Sequence, residues 1–559
     1  MLKISQADDI PAAISGMSIE EKVGQLCSPI LQSSDIPGYL RNFVEDIGVG
    51  VIRYCINAEY DNASRVVGKP NRYLSPSENA ELLNNLQKLA CGRKNGIPLI
   101  FSIDQEGGTR NDLNRYGALV YGSHMAFGAA DDPELTNRVA YHSGLQMKAL
   151  GINLVQAPIT DVISFAGRTT IKAASFGEDP ELVTKHSFAM MEGYQKAGIA
   201  VMIKHFPGYG ATAVDAHKGM ARVTKSKAEL DCHDNIPLKT LLQKGADGVM
   251  TGHVVIESLD PSGLPATLSQ KIIEGLLREE WGYDGIVESD ALRMKAIQEK
   301  FGTAKAAVMS IQAGCDVILL RGPEQHFIEG YEAVLEAARR GEISRERIDK
   351  SLGRIFRLKM KLGLFEKPFT DAEKAEEAFK SKEARKAAIE IASNSVTLIR
   401  DTVNLLPLSA KGKCVAVISP EPSKIAGAMD PVQSSDMLAD AVKKIHHDIK
   451  DYLVPQEITD EVIAKAVETA RSSDMVILGT ANAINSRDQV KLARAIIALG
   501  KPTVLIALES PFDALEIPEA STVICTMGFS ADAMSVAAEA IFGLCIPTGK
   551  LPVAFPEGK

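Results

Sequence analysis

Eight short apolar runs, separated by amphipathic helical stretches, limit what this chain can fold into. The runs cover 24–27, 48–53, 98–104, 153–158, 200–203, 247–253, 285–290 and 315–320. Helical stretches at 76–93, 133–150, 180–198, 268–281 and 303–314 lie between them. Short apolar strands alternating with amphipathic helices form parallel βαβ units. Eight such units within about 320 residues predict a (β/α)8 TIM-like barrel, whose site lies at the carboxyl ends of its strands. Several runs end abruptly in charge: Asp104, His253 and Asp290 close three of them, and Lys204-His205 follows a fourth. These five side chains are therefore expected on one rim. Beyond Lys204-His205 a Pro-Gly turn and a small-residue loop lead to Asp215-Ala216-His217. In extended chain, residues two apart point the same way, so Asp215 is placed to orient the imidazole of His217. That is a proton-transfer device, and it makes an enzyme the first expectation.

The chain is 559 residues long, too long for one ordinary domain. Its composition is globular, with 45% hydrophobic and 24% charged residues. A net charge of -9 argues against nucleic-acid or anionic-membrane partners. The first nine residues lack the apolar centre of a signal peptide, and no run of about 18 apolar residues exists to span a membrane. The eight cysteines are scattered without CxxC spacing, and read as reduced thiols. A cytoplasmic protein without a metal or other cofactor is expected. A barrel over 1–366 is followed by a charge-dense linker over 367–386 and a second unit over 387–559. Strands at 396–399, 414–418, 475–478, 503–507 and 522–525, with helices between, make that unit a C-terminal α/β sandwich. No GxGxxG follows a strand there, so no dinucleotide site is expected.

Assembled, the motifs resemble glycoside hydrolase family 3, and within it the NagZ-like β-N-acetylglucosaminidase branch in its two-domain form. They are Asp104-Gln-Glu-Gly-Gly108, Ser175-Phe-Gly-Glu-Asp-Pro180, Lys204-His-Phe-Pro-Gly208, Asp215-Ala-His217, Met250-Thr-Gly-His253, Pro265-Ala-Thr-Leu-Ser269, Glu288-Ser-Asp-Ala-Leu292 and Ala313-Gly-Cys-Asp316. The second unit adds Asn394-Ser-Val-Thr-Leu-Ile399 and Leu405-Leu-Pro407. The resemblance implies a retaining exo-β-N-acetylhexosaminidase acting on a small carbohydrate. Asp290 matches the family nucleophile, His217 the acid/base and Asp215 its orienting partner. Asp104, Lys204 and His205 match ligands of sugar hydroxyls. His253 has either direct contact with the sugar or a supporting role behind it, and Asp161 is expected to support the rim.

Three departures bear on the substrate. Ala174 stands where the branch usually has arginine, and Lys172 and Arg168 are candidates to supply that charge. Thr109 precedes Arg110, which displaces the family's usual arginine by one position. Tyr209 replaces a common histidine. Three alternatives follow: another family 3 exo-glycosidase such as a β-glucosidase, a β-glycoside phosphorylase using phosphate in place of water, or a catalytically silent sugar sensor. Glu509, at a strand end of the second unit, is a weak alternative acid/base; a solvated strand-end carboxylate is the better reading.

Overall fold

The computed structural model describes residues 4–56, 59–60, 66–68, 72–108, 110–164, 170–212, 214–216, 218–421 and 437–555. Eight parallel strands close into a barrel. They are β1 (Cys27–Ser28 and Ile30–Leu31, interrupted at Pro29), β2 (Val51–Tyr54), β3 (Ile100–Ile103), β4 (Leu154–Val155), β5 (Ala200–Phe206), β6 (Gly248–Thr251), β7 (Ile286–Ser289) and β8 (Ile318–Leu319). Each pairs in parallel with its sequence neighbour from β1 to β7. A bridge from Glu288 to Val317 joins β7 to the start of β8, and Cys27 and Ser28 pair with Ile318 and Leu319 to complete the ring. Strands covered by helices on one side and barrel filling on the other are apolar throughout, which is why their runs lack alternation.

Helix starts follow local chemistry. Ser75 and Glu78 form a reciprocal capping box ahead of Pro76–Gly92. Asp132 and Asp179 cap Pro133–Leu150 and Pro180–Ala197, each with proline in the first turn. The first expected strand is displaced: Gly24 and Gln25 belong to the helix Ile19–Gln25, opened by the capping box of Ser18 and Glu21. A short apolar run does not distinguish a strand from the last turn of a buried helix.

Asp316, quoted among the motifs, precedes β8 at the amino-terminal face. It accepts hydrogen bonds from Arg278 at 2.8 Å, Arg354 at 3.1 Å and Arg347 at 3.2 Å. A charge cluster at that face of a barrel, away from the site at the carboxyl ends, serves stability.

The second unit is a six-stranded sheet in the order β9 (Thr397–Asp401), β14 (Thr522–Cys525), β13 (Thr503–Ala507), β12 (Met475–Thr480), β10 (Val415–Pro420), β11 (Ile449–Val454). Only the β9–β14 pair is antiparallel. Between the units, segment 372–395 carries the helices Ala375–Ala378 and Lys382–Ser395, and Phe379, Ala384, Ala388 and Ile391 join the barrel's apolar cluster. The two units also touch directly. Met125, Ala126, Ala129 and Ala173 of the barrel pack with Ala507, Phe512, Cys525 and Met527 of the sandwich. Backbone N–H and hydroxyl of Ser123 both donate to the Met527 carbonyl, at 3.0 and 2.7 Å. All eight cysteines are unbonded, and Cys27, Cys55, Cys315 and Cys525 are buried.

Candidate active site

The carboxyl ends of the barrel strands surround a cavity of about 210 Å³. Asp104, Lys204, His205, Asp215 and Asp290 line it, as expected from the strand ends and the loop after β5. Arg110 lines it too.

Asp104 follows β3 and is the electrostatic centre. It accepts from Lys204 Nζ at 2.9 Å, from Arg110 at 2.8 Å and from the fully buried Arg53 of β2. Burial opposes its ionisation, but Arg53, Lys204 and Arg110 together hold the carboxyl well below the usual carboxylate range. Arg53 also binds Asp112 at 2.6 Å, so a chain of alternating charge runs under the cavity. Gly107 and Gly108, both with left-handed φ, turn the chain from Asp104 back through Arg110. A Cβ on Gly107 would stand 2.2 Å from the Gly122 carbonyl oxygen, so no larger residue fits that turn.

Lys204 and His205 are adjacent on β5, where alternation would send them to opposite faces. The register with β6 shifts between Lys204 and Phe206. An irregularity of this kind re-aims side chains at a barrel rim. Lys204 bridges Asp104 and Glu106, the latter at 2.5 Å, and although burial works against its charge these two carboxylates raise its pKa. His205 Nδ1 bonds Asp161 at 2.8 Å. Burial opposes protonation of the ring, yet Asp161 raises its pKa above the ordinary value. The other Asp161 oxygen accepts from Tyr209 N at 2.6 Å, so one buried carboxylate fixes both the imidazole and the turn after β5.

The departure at Tyr209 has a structural reason. Its hydroxyl accepts from Ala216 N at 2.7 Å and donates to the Val214 carbonyl at 3.2 Å. Tyr209 thereby clamps the residues on either side of Asp215. Gly210 allows this loop to lie on Val162, whose carbonyl oxygen would be 1.8 Å from an added Cβ. His217, Arg168 and Thr109 lie outside the described residues.

Asp290 follows β7. Its backbone N–H donates to Thr251 and its Oδ1 accepts from Ala291 N at 2.6 Å. His253 is fully buried behind it and is not among the residues lining the cavity. Its ring bonds Thr267 at 2.8 Å and the Ala291 carbonyl at 3.0 Å. The structure thus favours the supporting position for His253, bracing the residue after Asp290, over direct contact. Lys172 is also displaced from the expected sugar contact. Its side chain leaves the cavity and donates to Asn482 of the second domain at 2.9 Å. Glu509 is a half-buried strand-end carboxylate: it accepts from Asn482 in the seam between domains, and partial burial pushes its pKa up to about 7.

Sequence reasoning missed Arg53, Glu106, Gln156 and Arg321. Gln156 donates to Glu288 at 2.6 Å beneath the cavity, and burial raises Glu288 to about 7. Glu106, Gln156 and Arg321 line the wall. Arg321 directly follows the last apolar run, which was a readable signal; Gln156 and Glu288 sit inside apolar runs and gave none. Among the described residues no group of His, Cys, Asp and Glu has the arrangement to hold a metal ion. No helix among them is long and apolar enough to cross a membrane.

Residues 18–358 match the glycosyl hydrolase family 3 N-terminal domain and residues 396–559 its C-terminal domain. The chain is 27% identical over 525 residues to beta-hexosaminidase A of Pseudoalteromonas piscicida, covering 84% of this chain and 86% of that protein. It is 25% identical to a beta-N-acetylglucosaminidase/beta-glucosidase of Cellulomonas fimi, over 97% of this chain and 95% of the relative. Among solved structures it is similar to a family 3 beta-N-acetylglucosaminidase from Paenibacillus sp. str. FPU-7. The TM-score is 0.86 at 30% identity, with 96% of this chain and 99% of that chain covered. With both of its domains matched in order, and a barrel-rim cavity in the first, this chain belongs to glycoside hydrolase family 3.

Proposed function

We propose that the protein is a retaining, exo-acting β-N-acetylhexosaminidase that releases terminal β-linked N-acetylglucosamine. The observation that carries this reading is the meeting of Asp290 and Asp215 in one small cavity with the Asp104–Lys204–His205 cluster. In this reading Asp104, Lys204 and His205 bind sugar hydroxyls, and Arg110 completes that cluster. The Asp290 carboxylate attacks the anomeric carbon as the bond to the leaving oxygen breaks, through an oxocarbenium-like transition state. His217, assigned from the sequence, gives its proton to that oxygen and later takes one from the incoming water, whose oxygen displaces Asp290. Asp215 orients its ring. The names of the relatives, beta-hexosaminidase and beta-N-acetylglucosaminidase, support the acetamido sugar. Eight unbonded cysteines support action in a reducing, cytoplasmic setting.

Ala174 on the cavity wall favours a second reading, a β-glucosidase, because it removes the arginine expected there. The test is the ratio of aryl β-N-acetylglucosaminide to aryl β-glucoside turnover, with and without inorganic phosphate. A ratio far above one with free sugar as product is expected. A ratio at or below one overturns the acetamido assignment, and a sugar 1-phosphate product overturns hydrolysis.

A further inference from the structure

The wall of the cavity formed by Thr170, Ile171 and Ala174 belongs to a short turn, 170–174, that faces the second domain. Lys172 stands in its middle with its side chain directed the other way. Its Nζ donates to Asn482 Oδ1 at 2.9 Å, and the Asn482 amide donates in turn to the Glu509 carboxylate. Asn482 follows β12 and Glu509 follows β13, so the ends of two sandwich strands reach one barrel loop. Lys172 and Asn482 have φ of 48° and 55°, a left-handed conformation that asparagine adopts far more readily than lysine. A lysine persists there when its surroundings over-determine it. Those surroundings include the bond to Asn482 on one side and the burial of Ala173 against the interdomain cluster of Met125, Phe512 and Met527 on the other. The barrel itself ties the two ends of the turn, Thr170 to Thr212 and the Ala174 carbonyl to His124 Nδ1 at 2.7 Å, and leaves the middle to the second domain. The charged groups acting on Lys172 are Glu509, Asp513, Lys218 and Asp215.

We infer that Asn482 and Glu509 of the second domain are positioning residues for the sugar cavity: through Lys172 they fix the 170–174 turn that forms one of its walls. This inference rests on the reading of that cavity as the sugar site. Ile171 and Ala174 bring no hydrogen-bonding side chain to the wall, and the Thr170 hydroxyl is paired with that of Thr212 at 2.8 Å, so the wall acts chiefly through its position and shape. Burial places Glu509 at about 7, and its charge-assisted bond to Asn482 weakens as pH falls through that value. The charged groups facing Glu509 are Lys172 and Asp513, the latter raised by burial to about 6. The part of sugar binding that depends on this contact is expected to loosen as pH falls through about 7.

The test compares full-length wild type with Asn482→Ala, Lys172→Met and the near-isosteric Glu509→Gln. Each is assayed on whichever aryl β-glycoside the wild type turns over best, and by hydrogen exchange of the peptide containing 170–174. Asn482→Ala and Lys172→Met are expected to raise KM at least about fivefold with kcat within about twofold. The turn is expected to lose amide protection in both. Glu509→Gln is expected to flatten the dependence of KM on pH between 6 and 8. Folded variants with wild-type KM, protection and pH profile overturn the inference, even if they melt at lower temperature, since a purely adhesive contact would change only melting. Should the wild type cleave no aryl glycoside, the functional reading falls, while hydrogen exchange still decides whether the second domain fixes this turn.

Discussion

Asp104 is bound by three cations, and at least one of them, Arg53, has no access to water to replace a lost partner. Removing one member of a buried charge network strands the others, at a cost of about 3–5 kcal/mol. Arg53→Met leaves Asp104 and Asp112 facing each other and is expected to destabilise the fold by about that amount in urea titration, with weaker sugar binding. Asp290→Asn preserves the shape of the cavity and removes the attacking charge. Turnover is expected to fall at least about a thousandfold while a competitive sugar ligand still binds in calorimetry. Wild-type-like turnover in this variant would remove Asp290 from the chemistry. The residues that were legible at this scale are charges that end an apolar run, where only a cleft or a partner explains them: Asp104, Lys204 and Asp290. Arg53 also ends a run, but its partners come from distant β3 and the loop after it, which local sequence does not reveal. Gln156 and Glu288 satisfy one another inside the barrel, so neither interrupts the apolar pattern around it.

Helices led by a cap and a proline were read well, whereas the short helix Ile19–Gln25, despite the capping box of Ser18 and Glu21, had its last turn read as a strand. Ser75-Pro76, Asp132-Pro133 and Asp179-Pro180 start helices at the expected residues. β11 escaped notice because it is an edge strand, Ile-Lys-Asp-Tyr-Leu-Val, with most of its side chains at least partly exposed and only one neighbour to pair with. The irregularity in β5 was also invisible: no residue in Lys204-His205-Phe206 announces a register shift. The loop after β5 leans on Tyr209, whose hydroxyl makes two of the bonds that hold 214–216, beside the bond from Ala296 N to the Ala216 carbonyl at 3.1 Å. Tyr209→Phe removes the two hydroxyl bonds and leaves the ring in place. The loss of two hydrogen bonds is expected to cost about 1–3 kcal/mol in stability. If the loop carries the proton donor, the same change lowers kcat on unactivated oligosaccharides far more than on aryl glycosides, whose leaving groups need little protonation. Equal losses on both substrates would assign the loop to binding.

Across the whole molecule, two buried carboxyls outside the assigned chemistry stand above their ordinary values because of burial: Glu288 at about 7 and Asp513 at about 6. A raised carboxyl keeps a proton in the folded state that the unfolded chain releases. Its stabilising contribution is complete below the unfolded value, 4.5 or 3.8, and is lost as pH rises through the folded value. Glu288→Gln and Asp513→Asn abolish that loss, so the Tm advantage of each variant over wild type is expected to grow from pH 5 to pH 8. For Glu288 the full effect is on the order of 3 kcal/mol. A Tm difference independent of pH would contradict it. The domain seam is closely fitted at Gly528. A Cβ on Gly528 would meet Gly122 Cα at 2.7 Å and Ser123 N at 3.1 Å, both backbone. Gly528→Ala is therefore expected to part the domains and split a single calorimetric transition into two. Two domains were legible from the change in composition, but their seam was not, because Lys172, Asn482 and Glu509 come together only in three dimensions. The most direct test of the catalytic account is to incubate the protein with 5-fluoro-β-N-acetylglucosaminyl fluoride, whose slow turnover accumulates a glycosyl-enzyme, and to map the adduct by peptide mass spectrometry. One 5-fluoro-N-acetylglucosaminyl adduct, on Asp290, is expected; an adduct on another residue, or none while the fluoride is consumed, would remove Asp290 as the nucleophile.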